Sequence, residues 1–123
     1  MAIATMNCIV LDCPDPRRLA EFYAQVLGGK VEPGDDSAWV DVTGPDGHRL
    51  AFQESPGFIP PQWPSLEHAQ QLHLDLSVPK ERLDEAEQDV IKLGARLVQG
   101  DGKGGFRVYL DPAGHPFCLC VCD

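Results

Sequence analysis

Gly44-Pro45-Asp46-Gly47-His48-Arg49-Leu50-Ala51-Phe52 returns 67 residues later as Asp111-Pro112-Ala113-Gly114-His115-Pro116-Phe117-Cys118-Leu119. Each copy is a Pro-x-Gly-His turn feeding a short apolar strand. What precedes each copy also matches in kind: an alternating strand, an amphipathic helix ending in Leu-Gly, then more strand. A duplicated unit supplies pairs of equivalent positions, and in a two-fold scaffold such pairs converge on one site.

Working outward from the first copy, residues 3–13 read as a strand in which Ile9 and Leu11 alternate with Cys8, Val10 and Asp12. Asp15 stands at an N-cap with Pro16 at the first helical position. Leu19, Phe22, Tyr23, Val26 and Leu27 follow at helical spacing, and Gly28-Gly29 stops the helix. Val31 belongs to a short strand, Trp39 to Val42 to another, and His48 to Glu54 to a fourth. The second unit opens with the clearest period-two signal in the chain. Leu72, Leu74, Leu76 and Val78 fall on one face; Gln71, His73, Asp75 and Ser77 fall on the other. Pro79 opens a helix with Leu83, Ala86, Val90 and Leu93 buried, ended by Gly94. Arg96 to Gln99 is a strand and Gly100 to Gly105 a mobile turn. Phe106, Val108 and Leu110 alternate with Arg107, Tyr109 and Asp111, and the last strand sets Phe117, Leu119 and Val121 against Cys118, Cys120 and Cys122.

Each half is therefore β-α-β-β-β, an α+β class with a helix on one sheet face and an open, cup-like other face. Module one covers 1–54, a Pro-rich connector 55–70, and module two 71–123 of a single domain. The connector carries Phe58, Ile59 and Trp63 among four prolines. These three either close the edge of the core or supply a wall over a pocket.

The 123 residues suffice for one core, and the apolar fraction of 43% is ordinary. No apolar run reaches the roughly 18 residues of a membrane span, so a soluble, cytoplasmic protein is expected. A net charge of −9 argues against nucleic acid. It reads either as a solvated acidic surface or as a field that attracts a cationic ligand. Five cysteines, with no Cys-x-x-Cys pair, fit neither a disulfide framework nor a zinc ribbon.

Aligning the halves by helix and turn gives an offset of 65 at the first strand and 67 at the last. On the open face Cys8 then matches His73, and Ala51 matches Cys118. The residues around these positions resemble the vicinal oxygen chelate superfamily, which includes glyoxalase I, extradiol dioxygenases, fosfomycin-resistance enzymes and bleomycin-resistance proteins. The phrases Leu11-Asp12-Cys13-Pro14-Asp15-Pro16, Phe22-Tyr23 with Leu27-Gly28, Leu50-Ala51-Phe52-Gln53, Gln71-Leu72-His73-Leu74-Asp75-Leu76 and Asp111 to Cys118 resemble the glyoxalase-like domain group. In metal-using members of that superfamily the four positions carry His, Glu or Gln ligands. Here they carry Cys8, Ala51, His73 and Cys118. Ala51 ligates nothing, no carboxylate is present in the set, and a hard cation such as magnesium or manganese wants carboxylates.

The resemblance implies a homodimer. With the broken metal set, the aromatic connector and the acidic charge, the expectation is a drug-resistance-type binding protein whose cup holds a small aromatic molecule, cationic as the charge favours, with no cofactor. Cys8, Trp39, Gln53, Trp63, His73, Asp75, Arg107, Tyr109 and Cys118 are the candidate ligand-binding residues. Trp and Tyr offer flat walls with a polar handle, and Gln and Arg offer directional bonds. Arg107 and Tyr109 read equally as a solvated outer face. His73 is either a pocket residue or a satisfied structural one, and Asp75, two residues on, could hold it as an acid–base group. The alternative is a lyase or isomerase using His73 as acid–base, or a zinc site of Cys8, His73 and Cys118. Against zinc stands the reading of both cysteines as apolar filler.

Overall fold

The computed structural model describes residues 2–34, 36–100 and 105–121. Cys122 and positions 101–104 of the expected Gly100–Gly105 turn lie outside the described residues. The chain divides into two compact units, Met1–Phe58 and Ile59–Asp123. Most of the connector therefore goes with the second unit.

In the first unit, β1 (Ile9–Cys13), α1 (Pro16–Leu27), β2 (Lys30–Pro33), β3 (Trp39–Thr43) and β4 (Arg49–Glu54) form a sheet of order β1-β4-β3-β2. The second repeats it with β5 (Leu74–Val78), α2 (Leu83–Leu93), β6 (Arg96–Gln99), β7 (Phe106–Leu110) and β8 (Pro116–Val121), in order β5-β8-β7-β6. The first and last strands of each unit run parallel, and the other pairs run antiparallel. The fold is the expected α+β pair of βαβββ modules. Registers agree as well as topology: Ile9 faces Leu50 in β1–β4, and Leu74 faces Phe117 in β5–β8.

The helix ends follow local chemistry. The Asp15 carboxylate accepts from the Arg18 backbone N–H at 3.2 Å, and Pro16 fills the first turn, where no donor is needed. Gly28 (φ 67°) and Gly94 (φ 119°) end α1 and α2 in the left-handed region. The second helix does not open at Pro79 as expected. No side chain caps that end, and the chain enters through a 3-10 turn over Lys80–Arg82 before α2 begins at Leu83.

Each helix covers one face of its own sheet. In the first unit Leu11, Leu50, Phe52, Val40 and Val42 are buried with Leu19, Phe22 and Tyr23, and the Tyr23 and Phe52 rings stack at 5.8 Å. In the second, Tyr109 stacks on Phe117 at 5.4 Å. Both first strands are shorter than their period-two pattern. β1 starts at Ile9 rather than at residue 3, and β5 at Leu74 rather than Gln71, because their partners begin just after the repeated turns. A strand without a partner has no ladder to join, so Leu72 is exposed rather than buried.

The two turns close by the same backbone bonds. Gly44 N–H donates to His48 C=O and Gly47 N–H to Gly44 C=O; Asp111 and Gly114 repeat this with His115 and Asp111. The side-chain lock differs. Asp46 caps the His48 N–H in the first copy, whereas Asp111 caps both Ala113 and His115 in the second. The His48 ring bonds the Asp46 carboxylate at 2.9 Å, which holds that carboxyl below the usual range. His48 thus fixes its turn from an exposed position. No helix among the described residues is long and apolar enough to cross a membrane.

Candidate functional site

The strand registers decide which side chains share the face of each sheet turned away from its helix, the expected open face, on which Ala51, Val108 and Cys118 are nonetheless buried. In module two, Asp75 lies opposite Cys118, and Val108 lies opposite Cys118 on the other side. His73 immediately precedes β5, and its Nε2 lies 3.1 Å from Asp75 Oδ1. The donor atoms of His73, Asp75 and Cys118 all lie within 4.8 Å of one another. Cys118 is buried, with only 4% of its surface exposed. His73 and Asp75 keep open sides, at 34% and 62% side-chain exposure.

Burial pushes the Cys118 thiol up to about 12, and the Asp75 carboxylate and the Cys120 thiol add to the shift. The reason is direct: a thiolate there would lose water and gain a neighbouring negative charge. Cys118 therefore stands as a neutral thiol beside Asp75 and His73.

Trp63 meets this cluster from the connector. Its indole lies edge-on to the His73 ring at a centroid distance of 6.4 Å, and its Nε1–H donates to Gln99 Oε1 at 3.3 Å. The aromatic connector thus contributes a wall at His73. Ile59, by contrast, is largely exposed and closes no core.

Trp39 and Gln53 are cross-strand partners on the face of module one turned away from α1, and Trp39 Nε1–H donates to Asp41 Oδ1 at 2.9 Å. Cys8, next to β1, is part-exposed and in no disulfide, and Ala51 is fully buried.

Arg107 and Tyr109 do not belong to the open face, contrary to expectation. Register places them opposite Leu119 and Phe117, on the helix side. Arg107 Nη2 binds Asp84 Oδ1 at 2.8 Å, its Nη1 lies 3.4 Å from Glu87, and Tyr109 OH donates to Glu87 Oε1 at 2.9 Å. Both partners are on α2, so the pair anchors the helix. The side chains that β7 gives the open face are Phe106 and Val108. Phe106 is exposed there, at the position that the repeat equates with Trp39. An offset of 67 applied to β3 would have nominated it.

The family model of the glyoxalase-like domain matches residues 8–120. The chain belongs to the glyoxalase-like domain family. Solved structures agree on the fold. A glyoxalase/bleomycin resistance protein/dioxygenase family enzyme from Burkholderia phytofirmans matches with a TM-score of 0.75 at 16% identity, covering 96% of this chain and 98% of that one. The hypothetical protein SA1046 from S. aureus matches with a TM-score of 0.71 at 20% identity, covering 98% and 100%. A variant of the fosfomycin resistance protein FosX from Listeria monocytogenes, complexed with Mn(II) and 1S,2S-dihydroxypropylphosphonic acid, matches with a TM-score of 0.70 at 18% identity, covering 97% and 90%. No curated protein sequence matches the chain. At these identities the likeness to solved structures speaks for the fold alone.

Proposed function

We propose that this glyoxalase-like domain protein binds a small aromatic, cationic molecule on the open face of module two, as a homodimeric binding protein of the drug-resistance type. The observation that carries the reading is the joining of Trp63 to His73 and Asp75. A flat indole stands beside an imidazole and a half-exposed carboxylate, with the buried Cys118 as the floor. A carboxylate and an aromatic ring in one site suit a cationic ring: one supplies charge, the other a face and edge. The acidic balance of −9 favours approach of such a ligand.

Titration of chelator-treated protein with a panel of small aromatic cations tests this, read by Trp63 fluorescence in a Trp39→Phe background. We expect saturable, stoichiometric quenching without turnover. Asp75→Asn should weaken binding about tenfold or more, since a hydrogen bond to a charged group contributes about 1.5–3 kcal/mol. A panel without a saturable response would overturn the reading. Multiple turnovers abolished by His73→Ala would instead support the second reading, a lyase or isomerase. In that case the His73–Asp75 contact orients an acid–base imidazole.

A further inference from the structure

The hard-cation reading fails on this chain, since Ala51 removes one donor and no carboxylate stands in the inherited four-position set. Module two nevertheless assembles a donor set of its own. Among the described residues, His73, Asp75 and Cys118 bring one nitrogen, one oxygen and one sulfur within 4.8 Å of one another. A tetrahedral zinc ion with bonds of about 2.0–2.3 Å holds its ligands about 3.3–3.6 Å apart. The 3.1 Å between His73 Nε2 and Asp75 Oδ1 is already near that spacing.

We propose that His73, Asp75 and Cys118 form a three-ligand site for a soft or borderline divalent cation, zinc first, contained wholly within module two. The site lies where the binding reading above puts its ligand and rests on it for that place only: a zinc ion on Asp75 takes the carboxylate that binds the organic cation in the metal-free protein, so the two occupants compete. Asp75 is what makes it new: the position lies outside the inherited set and supplies the carboxylate that set lacks here.

Three features favour the assignment. The first is divergence between the copies. The positions equivalent to His73, Asp75 and Cys118 in module one are Cys8, Val10 and Ala51, which retain one donor of three. The repeat therefore does not dictate the cluster. The second is donor chemistry. One thiolate with one imidazole and one carboxylate selects zinc, cobalt(II) or cadmium over magnesium and manganese. The third is access. Cys118 is buried while His73 and Asp75 keep open sides, which leaves a fourth position for water or a ligand donor, as in open zinc sites.

Charge and protons balance simply. The cation replaces the Cys118 S–H proton, and that proton goes to buffer. A thiolate, a carboxylate and a neutral imidazole then neutralise the 2+ charge.

The test is titration of the chelator-treated full chain with Co2+ and then Zn2+, followed by absorption, with proton release measured calorimetrically in buffers of different ionisation enthalpy. One Co2+ per chain should give a thiolate-to-cobalt charge-transfer band that Zn2+ abolishes and equimolar Mg2+ or Mn2+ leaves intact. Cys118→Ser should remove the band. Asp75→Asn should weaken Zn2+ binding at least about tenfold, the scale seen even for outer-shell partners of metal ligands. Cys8→Ser and Cys120→Ser should keep the band. Asp75→Asn alters a half-exposed side chain, so it remains decisive even if Cys118→Ser melts early. Absence of the band in the wild-type chain, its loss with Cys8→Ser or Cys120→Ser in place of Cys118→Ser, or displacement by Mn2+ would overturn the site. If Co2+ fails while Trp63 still reports a metal-free organic ligand, the metal inference falls alone. If both fail, the binding reading falls with it.

Discussion

The two turns of the duplicated phrase differ in what surrounds their glycines. Gly47 (φ 88°) and Gly114 (φ 98°) share a left-handed backbone. A Cβ at Gly47 would meet open space, whereas one at Gly114 would come within 2.6 Å of Pro60 in the connector. Gly47→Ala should cost about 1–2 kcal/mol of stability from backbone strain. Gly114→Ala should cost more, because the connector must also shift. Thermal melts of both variants check the ranking, and equal losses would contradict it. Cys118 belongs to the same scale. With burial pushing its thiol pKa up to about 12, it should resist alkylation near neutral pH, where only a thiolate reacts. Period two put His73 and Asp75 on one face within reach of each other, and the repeat offset put Cys118 on the open face. The sequence did not bring Asp75 to Cys118, because that pairing depends on the register between β5 and β8, which neither period nor offset gives.

At the scale of the element, β7 is the instructive case. Its polar residues were expected to face out and its apolar ones in, by ordinary patterning. The register reverses this: Arg107 and Tyr109 hold α2 through Asp84 and Glu87. A long guanidinium can lie under a helix when acidic residues on that helix meet it. The repeat held the answer, since an offset of 67 equates Arg107 and Tyr109 with Val40 and Val42, both buried under α1. Arg107→Ala should lower stability by about 1–3 kcal/mol, and Tyr109→Phe by about 1 kcal/mol, without changing ligand affinity. A melt unchanged by Arg107→Ala, with altered binding, would contradict the helix-side placement. The sheet of module two carries an alkaline sensitivity on both of its faces. Burial raises the Tyr109 hydroxyl, with Glu87 adding to it, and raises the Cys118 thiol from 9.0 to about 12. For a group raised in the folded state, the unfolded chain loses its proton first. Stability is then full below about pH 9 and falls as pH rises toward 12. Cys118→Ser should flatten part of that fall in denaturation curves across this window.

Across the whole molecule, the duplicated architecture was legible from end to end, because turn chemistry, helix stops and strand periods recur in order. The chemistry was less legible, because it lies where the copies differ. Module one keeps Cys8, Val10 and Ala51 where module two has His73, Asp75 and Cys118. Sequence can mark that difference, but only the folded register shows that three donors meet beside Trp63. The central claim is that the open face of module two, around Trp63, His73, Asp75 and Cys118, is the binding site. Chemical-shift mapping of isotope-labelled, metal-free protein titrated with small aromatic cations tests it most directly. We expect saturable shifts at the Trp63 indole N–H, the His73 ring and the Asp75 and Cys118 amides, with α2 unmoved. Saturable shifts confined to other surfaces, or none at all, would contradict it.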